Sequence, residues 1–572
     1  EFEQKLNFIT EGLRFKALAS FKNWSSTTNS ASAGWNKYHL QDFSVDDNGV
    51  YSFVTRLQNE SGGEVSTDLK PGVANSGDRR FYFQAIMDYN RTFGKHDVNA
   101  MFIYNQDELV TQLFSGDLIA ALPKRKQGVA ARLSYAYDGK YLAEVNMGYN
   151  GSENFAKGHR WGFFPSIAVG YNISEEAFFE PLKNVFSNMK IRASWGLVGN
   201  DNIGGARFVY MPTINLTGTG YTTGLDGDIT YKGPVYSRYG NPEVTWEVGK
   251  KVNVGLDLQL FNSLNLTMDY FHETRTDIFQ ERGTIPQYLG TAGTKVFGNL
   301  AAMKNQGFDF AADFNKKIGK DWFISFKGTF TYAHNEITKY DESPKYAFQS
   351  KVGQSANIPS IMISDGLFKD PDDVKNSNQQ IGGNLSAGDI KYVNISKLYG
   401  YDDDIVDISD WVWAKNPTVP EIVYGFGPSI RWKNLDFSFF FQGVAKVSLV
   451  MSDFHPFGDN SLRNVLTWIA DDRWSPDNQN INATYPRLTR DTSVNNTQRS
   501  DYWLRNAAFI KLKNAEIGYT YKNMRFYVSG MNLATFSPFK HWDPEQGGGN
   551  GLKYPTQRVF NFGFQMTINN NR

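Results

Sequence analysis

Two short stretches of this chain contain residue types that carry out catalysis elsewhere, and neither has the spacing that the chemistry requires. HETRTD (272–277) begins like the zinc-binding helix of a metalloprotease, but the second histidine at i+4 is missing. GTGYTTG (218–224) has neither the glycine spacing nor the lysine of a phosphate-binding loop. The sequence contains no GxSxG nucleophile elbow, and its seven histidines are scattered. We therefore expect a protein that is not an enzyme and that uses no cofactor.

A second group of residues has chemistry suited to binding. Its members are aromatic and charged side chains in long polar stretches that we interpret as loops: Tyr401, Trp411, Trp413, Asp472, Arg473 and Trp542. Flat aromatic faces stack well on sugar rings and on peptide side chains. The alternatives are packing of the loops on one another and contact with a partner protein. We take these six residues as the candidate substrate-binding residues.

The elements that would position these loops are β-strands with one apolar face. In RVFNFGFQMTI (558–568), Phe560, Phe562 and Phe564 fall on one parity and Asn561 and Gly563 on the other. YLAEVNMGYN (141–150), KVNVGLDLQL (251–260) and NLDFSFFFQG (434–443) alternate in the same way. Many of these segments reach the roughly 9–11 residues that cross a bilayer at a tilt, which exceeds the ~5–6 typical of soluble sheets.

The connections between these strands alternate in length. Tight turns are predicted at 47–49, 93–95, 138–139, 261–263, 316–320, 433–434 and 522–523, and long polar stretches lie near 59–78, 109–127, 199–243, 335–420, 447–505 and 534–556. Long loops that all emerge at one end are typical of a transmembrane, antiparallel, up-and-down β-barrel with long extracellular loops. The sequence therefore predicts an all-β protein with about eighteen strands. A soluble propeller or sandwich is the alternative, but no period of about 40–50 residues is visible.

Composition is consistent with this fold and excludes several classes of protein. The chain of 572 residues exceeds the roughly 250–300 that one soluble core supports. Its mean hydropathy is −0.46, and no apolar run of about 18 residues is present, which excludes a transmembrane helix. The 59 basic and 59 acidic residues balance, so nothing favours nucleic acid as a partner. Without cysteine, disulfides and thiolate metal sites are excluded.

A series of ordered motifs adds a family resemblance. NGSENFAKGHRWGFFPSIAVGYNISEEAFF (150–179), MKIRASWGLVGNDNIG (189–204), NPEVTWE (241–247) and NQGFDF (305–310) occur in this order, and further matches follow to the end of the chain. The series resembles the SusC/RagA family of TonB-dependent outer-membrane receptors. The resemblance covers nearly all 572 residues and implies location in the bacterial outer membrane.

The resemblance also implies a function and partners. Members of the family import glycans, glycan fragments or oligopeptides. A SusD-like surface lipoprotein closes over the barrel, the TonB complex pulls on an internal plug, and the pairs can associate as dimers. The polar parity of the strands, with Glu144, Asn253, Asp257, Lys327, Gln442 and Gln565, would then face the lumen or the plug, and the apolar parity would face the lipid bilayer.

Family barrels have 22 strands and are preceded by a small domain, a TonB-contact segment and a plug. We therefore interpret residues 1–572 as the C-terminal barrel portion of such a receptor, with the plug and the first strands outside this chain. Another segment would then have to close the barrel, because unpaired strand edges are not viable in lipid. The last strand (558–568) would form the closing seam.

An acidic run departs from the family pattern. GDIKYVNISKLYGYDDDIVDISD (388–410) keeps Gly388, Asp389 and Tyr392 but scrambles the spacing of a calcium-like loop. Asp402, Asp404 and Asp407, with Asp403 and Asp410 nearby, are weak candidates to bind a cation such as Ca²⁺. The alternative is a solvated acidic loop.

Two other functions fit a similar sequence. One is a passive porin or a surface-binding barrel without energy coupling, and the other is a soluble extracellular binding protein. A coupled receptor requires a plug and a TonB-contact segment, whereas a porin requires neither. A soluble protein would need no detergent during purification.

Overall fold

The computed structural model describes residues 1–57, 63–112, 119, 122–204, 206–286, 288, 294–401, 403–452, 465–489 and 493–568. The strands of this part are β1 (Phe2–Lys5), β2 (Leu13–Ser32), β3 (Tyr38–Val45), β4 (Tyr51–Leu57), β5 (Lys70–Phe93), β6 (His96–Gln112), β7 (Lys124–Tyr137), β8 (Tyr141–Ser152), β9 (Trp161–Asn172), β10 (Phe186–Asn200), β11 (Thr213–Thr223), β12 (Ile229–Arg238), β13 (Glu247–Leu260), β14 (Leu264–Glu281), β15 (Phe297–Ile318), β16 (Trp322–Lys339), β17 (Ser360–Ile361), β18 (Ser364–Leu367), β19 (Ile390–Tyr392), β20 (Val412–Trp413), β21 (Ile422–Trp432), β22 (Leu435–Ala445), β23 (Ser448–Val450), β24 (Leu504–Asn506), β25 (Phe509–Tyr521), β26 (Met524–Phe536) and β27 (Val559–Met566).

Helices are short and lie in the connections. The α-helical segments are Pro371–Asn376, Ile395–Leu398 and Thr467–Asp471, and the 3-10 segments are Ile173–Glu175, Ala177–Leu182, Ala347–Gln349, Ile408–Asp410 and Pro544–Gln546. Within the described part of the chain, no helix is both long enough and apolar enough to cross a membrane.

Seventeen of the described strands form one antiparallel sheet in which each strand pairs with the next member along the chain. We call this sheet the wall. Its members in order are β1, β2, β5–β10, β13–β16, β21, β22 and β25–β27. This is the predicted up-and-down topology. Among the described residues, β1 and β27 each pair on one side only, and the closing seam of the last strand stays a prediction.

Short and long connections alternate along the wall as predicted, except that the β9–β10 connection (173–185) at the short-turn end is longer than the β8–β9 connection (153–160). At the short end, the β7–β8 turn places Asp138 and Gly139 at φ 54° and 68°, and the Lys140 N–H donates to the Tyr137 carbonyl at 2.9 Å to close it. One predicted turn has a different place. Residues 47–49 join β3 and β4, which pair only with each other outside the wall. Among the described residues the wall has seventeen strands, close to the eighteen predicted.

The outward face of the wall has an apolar band between two aromatic levels. On β5–β9, cross-strand pairing aligns a lower row at the short-turn end: Phe93, His96, Tyr137, Tyr141 and Tyr171. Higher up, Leu133, Val145 and Ile167 align, and above them Tyr104, Tyr149 and Phe163 share another row. The spacing of the two aromatic rows is about eight residues, or ~20 Å in height for tilted strands, close to the ~25 Å apolar band of outer-membrane barrels.

The opposite face of the wall is polar and carries ion pairs. Arg192 donates to Asp257 at 3.0 Å and to Asp269 at 2.7 Å across neighbouring strands. Strand register places the six residues predicted to face the lumen on this side: Glu144, Asn253, Asp257, Lys327, Gln442 and Gln565. Register therefore confirms that these six residues share one polar face, and the prediction that this face lines the lumen stays a prediction.

The main buried core lies in the long connections. We call residues 340–421, 446–508 and 537–558, in their described parts, the loop assembly. Its core contains side chains from all three connections: Met362, Leu367, Ile390, Tyr392, Val406, Val447, Leu449, Met451, Ile469, Trp474, Ala483, Tyr485, Trp503, Ala507 and Phe539. A smaller cluster of Phe155, Ile203, Val209, Val244 and Trp246 lies under the connections that follow β8 and β10.

Candidate functional site

The loop assembly is fixed to the wall by a buried lysine. Lys511, on the polar face of β25, is fully buried, and its Nζ donates to Asp543 at 2.6 Å and also to Glu545. Lys513 adds a second bond to Glu545 at 2.8 Å. Because an unpaired buried charge is costly, this contact holds the 537–558 connection down onto the wall.

The pKa values of Asp543 and Glu545 reflect both their burial and their pairing with lysine. Burial is the largest single influence and raises the pKa of the Asp543 and Glu545 carboxyls. The hydrogen bonds and positive charge of Lys511, together with the Glu545 N–H at Asp543 and Lys513 at Glu545, more than offset it, so both pKa values are lowered. Both groups are therefore charged at neutral pH.

A second buried network joins two connections inside the loop assembly. Asp389 is 1 % exposed and accepts from Arg487 Nε at 2.7 Å, Arg487 Nη2 at 3.0 Å and Asn496 Nδ2 at 2.7 Å. The backbone N–H of Ser386 donates to Asp389 Oδ2 at 2.8 Å, the oxygen that also accepts from Arg487 Nη2. This carboxylate is fully paired, so its burial stabilises one arrangement of the loops.

Neighbouring residues of the same motif complete the core. Gly388 has φ +85°, and a Cβ there would lie 2.3 Å from the Trp474 ring, so only glycine fits. Tyr392 donates its hydroxyl to the Asn495 carbonyl at 2.9 Å, and burial raises the pKa of this phenol well above its usual value. The sequence identified Gly388, Asp389 and Tyr392 as retained motif residues but missed their role, which is to organise the loop core.

An aromatic cluster with one histidine lies beneath the upper surface of the loop assembly. The His541 ring stacks on Trp468 at 4.4 Å between centroids, and Tyr485 and Phe539 pack against it edge-on. Burial raises the pKa of Tyr485 to about 12. Burial, with Arg505 nearby, lowers the pKa of His541, so the imidazole is neutral at neutral pH.

A second aromatic group reaches the solvent. Tyr346 is buried and contacts Tyr401 at 4.3 Å between ring centroids, and Phe348 stacks on Tyr399 at 4.7 Å. Tyr399 and Tyr401 are 63 % and 49 % exposed, and exposed Leu398 and Ile408 flank them. We call Leu398, Tyr399, Tyr401 and Ile408 the exposed patch. Contiguous exposed apolar side chains of this kind are typical of binding surfaces.

The six residues predicted to bind substrate lie in different environments. Tyr401 alone belongs to the exposed patch. Trp411 packs against the loop core, Trp413 donates Nε1 to the Ser350 carbonyl at 2.9 Å, and Trp542 donates Nε1 to the Gly547 carbonyl at 3.0 Å. These contacts match the alternative of loop packing, although a binding role for these residues has not been tested and stays a prediction.

The charged pair among the six also lies in the loop assembly. Asp472 is exposed and accepts from the Tyr485 N–H through its backbone carbonyl at 3.1 Å. Arg473 is half-buried and donates to the Ala470 carbonyl. Asp472 is thus the more accessible of the two.

The predicted cation candidates have different partners. Asp402 lies outside the described residues. Asp404 pairs with Lys397 at 3.1 Å, and Asp407 caps the turn Ile408–Asp410 by accepting from the Ser409 N–H at 2.6 Å. Asp410 is buried and accepts from the Ser396 N–H at 2.8 Å. Among the described residues, no group of three or more acidic or histidine side chains converges as a metal site. A cation site in this run stays a prediction.

Comparison with known proteins identifies the family. A model of the family described as TonB dependent receptor-like, beta-barrel, matches residues 6–533. The chain belongs to this family. The predicted fold, a transmembrane up-and-down β-barrel wall with long loops, is confirmed, and so is its location in the bacterial outer membrane. The family is one of receptors and transporters rather than of enzymes.

Individual relatives support the predicted SusC/RagA resemblance. TonB-dependent receptor P3 of Formosa agariphila is 25 % identical over 562 residues, covering 87 % of this chain and 54 % of the relative. TonB-dependent receptor SusC of Bacteroides thetaiotaomicron is 27 % identical over 470 residues, covering 76 % of this chain and 43 % of the relative. The chain spans about half the length of the curated relatives it matches.

A solved structure shows the same fold. The RagAB peptide importer in its open-open state superimposes with a TM-score of 0.71 at 20 % identity, covering 98 % of this chain and 59 % of that chain. The similarity extends across both the wall and the loop assembly, so both belong to the shared fold.

Proposed function

We propose that this chain forms the barrel of a receptor that imports a nutrient across the outer membrane with energy supplied through TonB. The observation that carries the proposal is the family match over residues 6–533 together with a relative named SusC. The TonB complex would act on a plug outside this chain. The polar face of the wall would line the lumen through which the nutrient passes.

We further propose that a SusD-like lipoprotein closes over the loop assembly and contacts the exposed patch. The buried core and the Asp389 network support this, because a rigid platform lowers the entropic cost of docking a lid. The patch offers two tyrosines and two aliphatic side chains, residue types that suit the centre of an interface. Two such receptor–lid pairs could associate as a dimer.

The nutrient we propose is a glycan fragment or an oligopeptide. Both present flat or apolar surfaces to aromatic rings, and Tyr401 is the exposed aromatic residue among the six candidates that lies in the patch. Asp472 and Arg473 would supply polar contacts. A Ca²⁺ bound in the acidic run would have to compete with the partners that Asp404 and Asp407 already have, Lys397 and the Ser409 N–H.

Uptake in cells tests the import function. Cells that produce the intact receptor are given fluorescently labelled oligosaccharides and oligopeptides, with and without TonB. We expect uptake of one class to require both the receptor and TonB. Uptake that persists without TonB would contradict active import and favour the passive porin.

Co-purification tests the lid. The intact receptor is extracted from membranes, and the chains that accompany it are identified by mass spectrometry. We expect a SusD-like lipoprotein, and we expect the double variant Tyr399→Ser, Tyr401→Ser to retain at least tenfold less of it. Tyr288→Ser is the matched control, because Tyr288 is 87 % exposed in another connection. Equal loss in both variants would contradict a role for the patch.

A further inference from the structure

A cavity of about 570 Å³ lies on the outward side of the wall, near its upper end. Strand register shows which side chains project into it. Phe81, Glu108 and Arg125 align in one row, and Gln106, Gln127, Gly151 and Trp161 align in the row below. All seven belong to the parity that carries the apolar band, so the cavity opens away from the lumen.

The height of the cavity places it at the membrane surface. Gly151 lies about ten residues along β8 from Tyr141 in the lower aromatic row, which is ~33 Å of strand and ~25 Å of height at a typical tilt. That height equals the apolar thickness that such barrels present to lipid. The cavity therefore begins where the hydrocarbon layer ends and the head groups of the outer leaflet begin.

The floor of the cavity includes an aromatic platform. Trp161 lies flat against the wall at Gly151, because a Cβ on that glycine would come within 3.1 Å of three ring atoms. Tyr149 stacks on Trp161 at 4.9 Å between centroids with an interplanar angle of 15°. Trp161 remains 42 % exposed, and Phe81 is 41 % exposed across the cavity. Exposed aromatic faces of this kind bind the apolar faces of sugar rings.

The polar lining consists of oriented amides and a neutralised ion pair. Gln127 donates to the Tyr104 hydroxyl at 2.7 Å, which donates to Gln106 Oε1 at 3.1 Å. Arg125 Nε donates to Glu108 Oε2 at 2.7 Å. Of the charged residues around the cavity, Glu108 and Arg125 belong to the outward parity and pair with each other, whereas Asp107 and Lys126 belong to the opposite parity of the same strands. A balanced lining favours neutral hydroxyl-rich groups over a bare phosphate.

Directly below the cavity the outward face becomes apolar. The row of Tyr149 and Phe163 comes first, then a row with Met147 and Pro165, and below these Leu133, Val145 and Ile167 align at the level of the acyl chains. A ligand that fits both regions must join a saccharide to hydrocarbon chains. The geometry points to a binding site for a glycolipid of the outer leaflet, with its sugar head group on Trp161 and its acyl chains on the apolar rows beneath. This inference does not depend on the import function.

Retention of glycolipid by the purified intact receptor tests this inference. The receptor is delipidated in detergent and transferred into phosphatidylcholine nanodiscs with or without rough lipopolysaccharide, and bound glycolipid is counted by native mass spectrometry. We expect Trp161→Leu to weaken lipopolysaccharide binding about tenfold. Trp322→Leu is the matched control, because Trp322 is an outward-facing tryptophan at the lower end of the wall with similar exposure, and it should bind like the wild type.

Two additional measurements keep the test decisive. Gln127→Leu removes the amide contact but leaves the Trp161 ring in place, and it should weaken binding by a smaller factor. This variant provides the test if Trp161→Leu fails to fold. The core oligosaccharide released from its acyl chains should bind at least tenfold more weakly than the intact glycolipid. Equal binding of the free sugar, unchanged binding by both variants, or a co-purified protein that covers Trp161 would each overturn the inference.

Discussion

The wall and the loop assembly place the same residue types in opposite environments. Phe560, Phe562 and Phe564 on β27 are 55–84 % exposed, whereas Phe368 in the loop assembly has no exposed surface. Burial of apolar side chains away from water stabilises the loop assembly. In the wall, the backbone of the inner strands pairs with neighbours on both sides, and the apolar side chains face lipid. An aromatic-rich sequence therefore does not by itself indicate a protein core.

The two regions should respond differently to substitution. The loop assembly is sensitive to cavities, unpaired charges and lost polar contacts, as a soluble core is. The outward face of the wall should tolerate the exchange of one apolar side chain for another, whereas a charged side chain there should destabilise the inserted protein. The following predictions test this contrast, from the largest expected effect to the smallest.

Asp389→Ala should have the largest effect. The change leaves Arg487 and Asn496 without their shared acceptor in a buried site, which costs about 3–5 kcal/mol. Hydrogen exchange of the intact receptor should accelerate in segments 365–400 and 480–500 while the wall stays protected. Asp372→Ala is the control, because Asp372 is exposed on a nearby helix. Equal exchange in the two variants would show that the network does not stabilise the loops.

Leu133→Arg tests the outward face of the wall. Leu133 lies near the middle of the apolar band, where a charge facing lipid costs about 2–4 kcal/mol. The yield of heat-resistant, membrane-inserted receptor should fall, and the loop assembly of the inserted fraction should exchange normally. Ser134→Arg is the control on the polar face of the same strand, and it should insert like the wild type. Loss of insertion in both variants would contradict the assignment of faces.

Gly388→Ala separates steric fit from backbone conformation. The new Cβ would clash with the Trp474 ring, and the alanine would also have to adopt a positive φ. We therefore expect the free energy of unfolding of the loop assembly to fall by about 2–3 kcal/mol. Gly353 has φ +88° with open space around its Cβ position, so Gly353→Ala should cost only about 1 kcal/mol. Tryptophan fluorescence during thermal unfolding measures both. Equal losses would show that the Trp474 contact is unimportant.

Acid below the ordinary carboxyl pKa values should produce the smallest effect. The pKa values of Asp543 and Glu545 are lower in the folded protein, so their contribution to stability is full above the ordinary carboxyl pKa values of 3.8 and 4.5 and is lost as the pH falls through the lowered values. We expect proteolysis within 537–558 to increase as the pH falls below the ordinary carboxyl pKa values. In Lys511→Met this segment should already be cleaved at neutral pH. Cleavage that is independent of pH in the wild type would contradict the role of Lys511.

Much of the wall could be predicted from the sequence. The alternation in 558–568, the turn at Asp138–Gly139 and the polar parity of Glu144 and Asp257 all matched the structure. Each of these features depends on residues that are close in sequence, because every strand of the wall pairs with the next one in it. The turn at 47–49 was assigned to the wall incorrectly, because local turn chemistry is the same in a hairpin that stands outside the sheet.

The candidate site was predicted less completely. Tyr401 reaches the surface as expected, but Trp413 and Trp542 hydrogen-bond within their own loops. Sequence alone could identify these residues as aromatic and within loops. It could not show which ring would be covered, because Trp413 reaches Ser350, 63 residues away along the chain, and Trp411 and Trp542 pack against a core built from all three connections.

The sequence by itself determined the strand pattern, the two faces of the wall and the end at which the long connections emerge, since period-two alternation and turn residues act locally. The tertiary structure alone decided that these connections share a core. Asp389 and Arg487 are 98 residues apart, and Lys511 reaches Asp543 from another strand connection. Such contacts form only when the wall has brought the connections together, so their partners cannot be inferred from local spacing.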